Sequence, residues 1–165
     1  MPFALSVRNM RQLDLLGGEV EQCLFCKIAK GAIPSLGVFE DGISFAFLDN
    51  KPLFPGHCLL VPKAHISALQ DMSADILAPL LGNVQLMSTA IEAAMKAEGS
   101  FVGINNRVSQ SIPHLHIHIV PRNRGDGLKG FFWPRTKYSD EKAARDVQQA
   151  IRAAVGRLKP GAAAQ

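Results

Sequence analysis

The sequence predicts an α+β fold: an antiparallel sheet of about five strands with one long central helix and a C-terminal helix. Three observations carry this reading. Short apolar runs separated by turn residues follow one another over residues 37–62 and again over 99–121. A single stretch of helical period, residues 73–99, separates the two groups. Strands that succeed one another through turns favour antiparallel pairing, whereas a doubly wound sheet alternates strand with helix.

Residues 1–20 hold two arginines and scattered leucines but no continuous apolar core, so they read as a flexible extension and not a signal peptide. Gly17-Gly18 looks like the joint to one domain over residues 21–160. "CLFCKIAKG" reads as a short helix or tight turn. "GVFEDGISFAFLD" reads as two strands around Glu40-Asp41-Gly42, an Asp-Gly hairpin signal. Pro55-Gly56 makes a turn before "HCLLVP", the third strand. In the long helix, Ile76, Leu80, Val84, Met87, Ile91 and Met95 recur at spacings of three and four, which is one face. Ser73 is placed to cap its start and Gly99 to close its end. Pro79 either begins the helix or kinks it. "SFVGINN" is the fourth strand and "HLHIHIVP" the fifth. After a loop and "GFFWPRTKY", an amphipathic helix runs from about Asp140 to Leu158. Its apolar face is Ala144, Val147, Ile151, Ala154, Val155 and Leu158, with Ser139 as cap and Lys159-Pro160-Gly161 as stop.

The chain has 165 residues, 47% hydrophobic and 19% charged, a globular balance. No apolar run approaches the ~20 residues that span a bilayer, so no membrane is expected. The net charge of +4 suits an anionic small molecule and gives no argument for nucleic acid. Arg122, Arg124, Lys129, Arg135 and Lys137 follow the histidines, either as a solvated face or as a phosphate-attracting rim. Three cysteines, an odd number, point to a reducing cytoplasm and not to a disulfide framework.

"PHLHIHIVPR" holds the strongest signal. His114, His116 and His118 alternate with Leu115, Ile117 and Ile119, which is the strand period, so the imidazoles share one face. Neighbours on that face stand about 6.6 to 6.8 Å apart, close enough for two rings to touch one small reacting centre. A half-exposed, satisfied histidine explains one such residue better than three in register. A metal centre is the serious rival, since His-x-His pairs on strands hold zinc and iron. The preceding "NNRVSQS" offers Asn105, Asn106, Ser109, Gln110 and Ser111, all neutral donors. No carboxylate lies between Ser100 and Pro121. Neutral donors with imidazoles suit an anionic phosphoryl group, and a nearly neutral imidazole is a good nucleophile and leaving group at pH 7.

"HLHIHIV" matches the pattern His-φ-His-φ-His-φ-φ, with φ apolar. Together with "FLD", "PGH" and "VPKAH" in that order, it resembles the histidine triad (HIT) family from about Cys23 to Arg122. The resemblance implies the HIT-like fold and an activity: a hydrolase or transferase cleaving nucleoside phosphoramidates or dinucleoside polyphosphates to release a nucleoside monophosphate. His116 matches the nucleophile that carries a nucleotidyl intermediate, and His118 a histidine on the phosphate. Gln110 and Ser111 fall in the phosphate-binding stretch. Asn105 matches a phosphate-side asparagine, with Asn106 the alternative because the loop is shorter than usual. Ser109 stands where the family has a glycine. Asp49 matches the ribose-binding acid, Ile28, Ile33 and Phe47 the walls around a purine, and His57 a histidine near the first triad member.

By spacing alone, Cys23-x-x-Cys26 could be reactive thiols, buried small hydrophobes or two metal ligands. Some bacterial members of the resembled family bind zinc through such a pair, a histidine matching His65, and the first triad histidine, here His114. The resemblance thus implies a structural zinc, no organic cofactor, and a homodimer joined across the long helix. Two other readings stand beside it: a nucleotide-binding adaptor with incidental turnover, and a metal centre on all three triad histidines.

Overall fold

A computed structural model describes residues 21–128 and 136–158. The expected N-terminal extension, "GFFWPR" and the helix stop at 159–161 lie outside the described residues. The contacts divide the chain into two units: Met1–Arg124, which holds the sheet, and Gly125–Gln165, which holds the C-terminal helix. The elements are α1 (Leu24–Ala29), β1 (Gly37–Glu40), β2 (Ser44–Leu48), β3 (Cys58–Pro62), a 3₁₀ turn (Leu69–Asp71), α2 (Ala74–Met95), β4 (Gly99–Ile104), β5 (Ile117–Arg122) and α3 (Glu141–Leu158). The sheet order is β1-β2-β3-β5-β4 and every neighbouring pair is antiparallel. The α+β expectation and its five strands stand.

Alternation along the strands sorts side chains into two layers. Ala46, Cys58, Leu60, Leu115, Ile117 and Ile119 pack with Leu80, Val84, Met87 and Ile91 of α2. Phe47, Leu59 and Val61 face the other way and pack with Cys23, Phe25, Cys26 and Ile28 around α1. Every residue of β3 is buried, because both sheet faces are covered at its centre. By length and composition α2 could cross a membrane, yet one face of it is this core.

Local chemistry fixes the turns. Asp41 Oδ1 accepts the N–H groups of Ile43 (2.8 Å) and Ser44 (2.7 Å), closing the β1–β2 hairpin. Its Oδ2 accepts from Asn83 Nδ2 at 2.6 Å, which ties the hairpin to α2. Burial raises the Asp41 pKa, but the Ser44 and Ile43 N–H groups and Asn83 more than reverse it, leaving the carboxyl below its ordinary value. Gly56, at φ +91, takes the left-handed position that its turn needs.

Several element ends differ in detail from expectation. Ser73 stands at the N-cap of α2 without a side-chain cap bond, and its carbonyl receives the Ile76 and Leu77 N–H groups. Gly99 does not close α2. Lys96 takes the left-handed cap (φ 52), with the N–H groups of Lys96 and Ala97 returning to Ala93 and Glu92, so Gly99 is free to begin β4. Pro79 lies inside the helix near its exposed start, where the lost hydrogen bond concerns only the Asp75 carbonyl. The fifth strand is also shorter: its ladder starts at Ile117, because the Leu115 N–H goes to Ile66 O (2.6 Å) outside the sheet.

Leu80, 1% exposed, and Leu81, 50% exposed, are adjacent on α2 and make an internal control. Leu80→Ala is expected to cost about 2–5 kcal/mol in urea unfolding, and Leu81→Ala less than about 1 kcal/mol.

Candidate active site and metal centre

The layer around α1 carries the polar groups. Register aligns His118 with Leu59, Leu59 with Phe47 and Phe47 with Gly37, a row across four strands. A cavity of about 800 Å³ lies there, lined by His116, His118, Ser111, Asp49, Ile28, Ile33 and Phe47. Leu24, Phe25, Leu36, Asn50, Lys51, Leu59 and Ile112 also line it. The sequence reading missed these. Phe25 was hidden between two cysteines, on a helix too short to show a period.

Partners that can only donate or only accept fix the protons of each ring. His114 Nε2 lies 2.9 Å from the Pro62 carbonyl, which only accepts, so Nε2 carries the proton and Nδ1 a lone pair. His116 Nδ1 lies 2.8 Å from the His114 carbonyl, so it too is protonated, and Nε2 is left with the lone pair. The Leu53 N–H reaches His57 Nδ1 at 3.2 Å, so His57 carries its proton on Nε2. That proton is donated to His118 Nδ1 at 3.0 Å, which leaves His118 protonated on Nε2. The cavity thus holds one imidazole with a nucleophilic tautomer and one with a donor tautomer.

Asp49 ends the row beyond β2. Its Oδ1 accepts the Lys51 N–H at 2.8 Å, and its Oδ2 lies 3.6 Å from His57 Nδ1. His57 is buried and braces His118 from behind without lining the cavity. Gln110 and Asn105, which the resemblance places at the phosphate, do not line it either. Gln110 is spent on the loop: its Oε1 accepts the Arg107 N–H (2.7 Å) and its Nε2 donates to Ser67 O (2.6 Å). Asn105 is exposed, and Asn106 Oδ1 accepts the Leu69 N–H at 2.9 Å. Arg107 and Ser109 both have left-handed backbones (φ 67 and 59), the conformation a glycine adopts without strain. Of the basic rim, Arg124 pairs with Glu98.

Cys23, Cys26, His65 and His114 each offer one ligand atom, and the four atoms lie within 4.8 Å of one another. Cys23 Sγ and Cys26 Sγ are each 3.4 Å from His114 Nδ1, and Cys26 Sγ is 3.3 Å from His65 Nδ1. A tetrahedral zinc with ordinary bond lengths separates a sulfur from a nitrogen by about 3.5 Å. The donors fit, and the His114 lone pair faces the thiols. Burial, and then Cys23, push the Cys26 thiol up to about 11, a cost that a divalent cation would reverse. The triad rings do not converge on one ion: His114 faces the cysteines, His116 Nδ1 its carbonyl, and His118 Nδ1 His57. Asp49, His57 and His118 also fall within 4.8 Å of one another, with the His57 and His118 nitrogens hydrogen-bonded to each other.

Burial lowers His118 to about 4, aided by His116 and His57 and opposed by Asp49. An unfolded histidine titrates near 6.5, so as pH falls the unfolded chain takes up this proton first. The His118 contribution to stability is therefore complete above pH 6.5 and is lost progressively down to about 4. Urea midpoints measured across that window should fall with acid, and the fall should be shallower in His118→Asn by up to about 3 kcal/mol.

The HIT domain family model matches residues 30–125. "Protein hit" of Bacillus subtilis is 35% identical over 131 residues, 78% of this chain and 88% of that protein. "Adenosine 5'-monophosphoramidase hnt1" of Schizosaccharomyces pombe is 34% identical, covering 73% of this chain and 89% of its own length. "Adenylylsulfatase HINT3" of Arabidopsis thaliana is 38% identical over 64% of this chain, which spans 55% of the plant protein's length. A crystal structure of a HIT family member from Bacillus subtilis superposes with a TM-score of 0.75 at 31% identity, covering 85% of this chain and 99% of that one. A zinc-bound histidine triad family protein from Mycobacterium smegmatis superposes at 0.63 with 28% identity, covering 84% and 99%. The chain belongs to the histidine triad (HIT) family.

Proposed function

We propose that this protein is a nucleotide hydrolase or transferase acting on the α-phosphate of nucleoside phosphoramidates or dinucleoside polyphosphates, through a nucleotidyl intermediate on His116. One observation carries the reading: the His114 carbonyl holds the Nδ1 proton of His116, leaving Nε2 of a cavity-lining ring unprotonated. Two relatives support the substrate class, since their names are those of enzymes for an adenylyl sulfate and an adenosine monophosphoramidate.

The chemistry follows from the tautomers. The Nε2 lone pair attacks the α-phosphorus, and the bond to the leaving group breaks with its electrons, a phosphate departing as an anion and an amine departing neutral after its nitrogen takes a proton from solvent. His118 Nε2–H donates to a phosphoryl oxygen as charge builds there, and Ser111 lines the same end. Phosphorylated on Nε2 and protonated on Nδ1, the His116 ring is a cation, which the His114 carbonyl stabilises. Water then attacks phosphorus, the P–N bond breaks, and neutral imidazole and the nucleoside monophosphate are released. Phe25, Ile28, Ile33 and Phe47 would sandwich the base, while Asp49 would accept from the ribose hydroxyls.

Zinc is the metal proposed for Cys23, Cys26, His65 and His114, in a structural role. A closed set of four ligands leaves no open position for catalysis. A homodimer is proposed too, supported by exposed Leu81 and Leu86 on α2 and Val102 on the edge strand β4.

Turnover should be assayed on adenosine phosphoramidate, diadenosine tri- and tetraphosphate and a nucleotide sugar, with acid-quench trapping of the adduct. His116→Asn is expected to lose about a thousandfold or more in kcat while AMP binding persists in calorimetry; an unaffected rate would defeat the mechanism. Elemental analysis should find about one zinc per chain, falling severalfold in Cys26→Ser and His65→Ala.

A further inference from the structure

Helix α1 has two jobs. It is only six residues long, far below the length at which a helix is stable alone, so its anchors decide its position. At its N-terminus, Cys23 and Cys26 are three residues apart and share one face, against His65 and His114. The adjoining face carries Leu24, Phe25 and Ile28, which line the cavity. Phe25, flanked in sequence by the metal-binding pair, is 6% exposed. Its ring centroid stands 5.2 Å from that of His116 at 70°, 5.7 Å from Phe47 at 61°, and 6.0 Å from His114 at 81°. One side chain thus touches the nucleophile, the base wall and a metal ligand.

We infer that metal occupancy of the Cys2His2 site and nucleotide affinity are thermodynamically coupled through α1, with Phe25 as the positioning residue that transmits the coupling. The inference rests on the nucleotide reading of the cavity. Without a metal, α1 would be tethered on its cysteine side only by weak sulfur–nitrogen contacts of 3.3 to 3.4 Å. Metal bonds to the same atoms would hold α1 in the one position that places Phe25 against His116. A nucleotide base packing on Phe25 and Ile28 favours that position as well. Two ligands that favour one state must raise each other's affinity by the same factor, usually about 5- to 150-fold. His114 adds a second connection, since its ring is a metal ligand and its carbonyl sets the His116 proton.

The test is a thermodynamic square on the full chain. AMP affinity is measured by calorimetry with zinc loaded and after chelation, and zinc affinity by chelator competition with and without AMP. Both ratios should agree and reach about tenfold. Phe25→Ala should keep zinc binding but lower both ratios severalfold, leaving only the part that His114 carries, whereas Phe25→Leu should restore part of the loss; ratios unchanged in Phe25→Ala overturn the role of Phe25. Should the chelated chain unfold, AMP would raise zinc affinity through folding alone, and a coupling carried by the position of α1 in the folded chain is overturned. AMP that binds loaded and chelated forms equally, or zinc affinity indifferent to AMP, overturns the coupling alone. AMP that binds neither form overturns the nucleotide reading and the coupling with it.

Discussion

The site depends on one constraint: imidazoles are packed into the α1 side of the sheet, where solvent cannot satisfy their ring nitrogens. His57, His114 and His116 are buried. A ring nitrogen left without a partner there costs about 1–3 kcal/mol. Among the described residues no buried side-chain nitrogen or oxygen lacks a partner. Satisfying the enclosed nitrogens of His57, His114, His116 and His118 with carbonyls, an N–H group, thiols and a neighbouring ring leaves one proton arrangement, in which Nε2 of His116 and Nε2 of His118 are left for the cavity. The tautomers that the proposed chemistry requires are therefore set by burial and backbone geometry, before any ligand arrives.

Much of this was legible in the sequence, for identifiable reasons. The strand period assigned His116 and His118 to one face and Ile117 and Ile119 to the other, since period two survives wherever one face must be buried. The α2 face was legible because Leu80, Val84, Met87 and Ile91 repeat over several turns. Less legible was whatever depends on pairing across the fold. The ladder begins at Ile117 and not at His114 because the Leu115 N–H finds Ile66, some fifty residues earlier. Gln110 and Asn106 have amides of the type a phosphate would recruit, and composition cannot reveal that both are committed to the 67–69 segment. Phe25 gave no signal, because a one-and-a-half-turn helix is too short for a period.

The loop before the triad shows what those committed amides do. Arg107 and Ser109 are left-handed without being glycine, a conformation costing roughly 1–2 kcal/mol each. Gln110 bonds at both ends of its amide and Asn106 holds the Leu69 N–H, so side chains offset strain that glycines would have avoided. Ser111 and Ile112 then enter the cavity from a braced backbone.

The balance around His118 keeps that ring neutral at pH 7. Asp49 pulls its pKa upward, and a carboxylate that close favours the charged imidazole when acting alone. Burial, together with the His116 and His57 rings, outweighs it and leaves His118 at about 4. Asp49 is also blunted, since Oδ1 already accepts the Lys51 N–H. At neutral pH the phosphate would therefore meet an N–H dipole and not a fixed cation. A dipole aligned with the developing charge stabilises the transition state without the strong ground-state grip of an ion pair. Because ground-state binding adds nothing to turnover at saturation, a neutral donor beside the proposed nucleophile would allow a monophosphate to leave once the proposed P–N bond breaks.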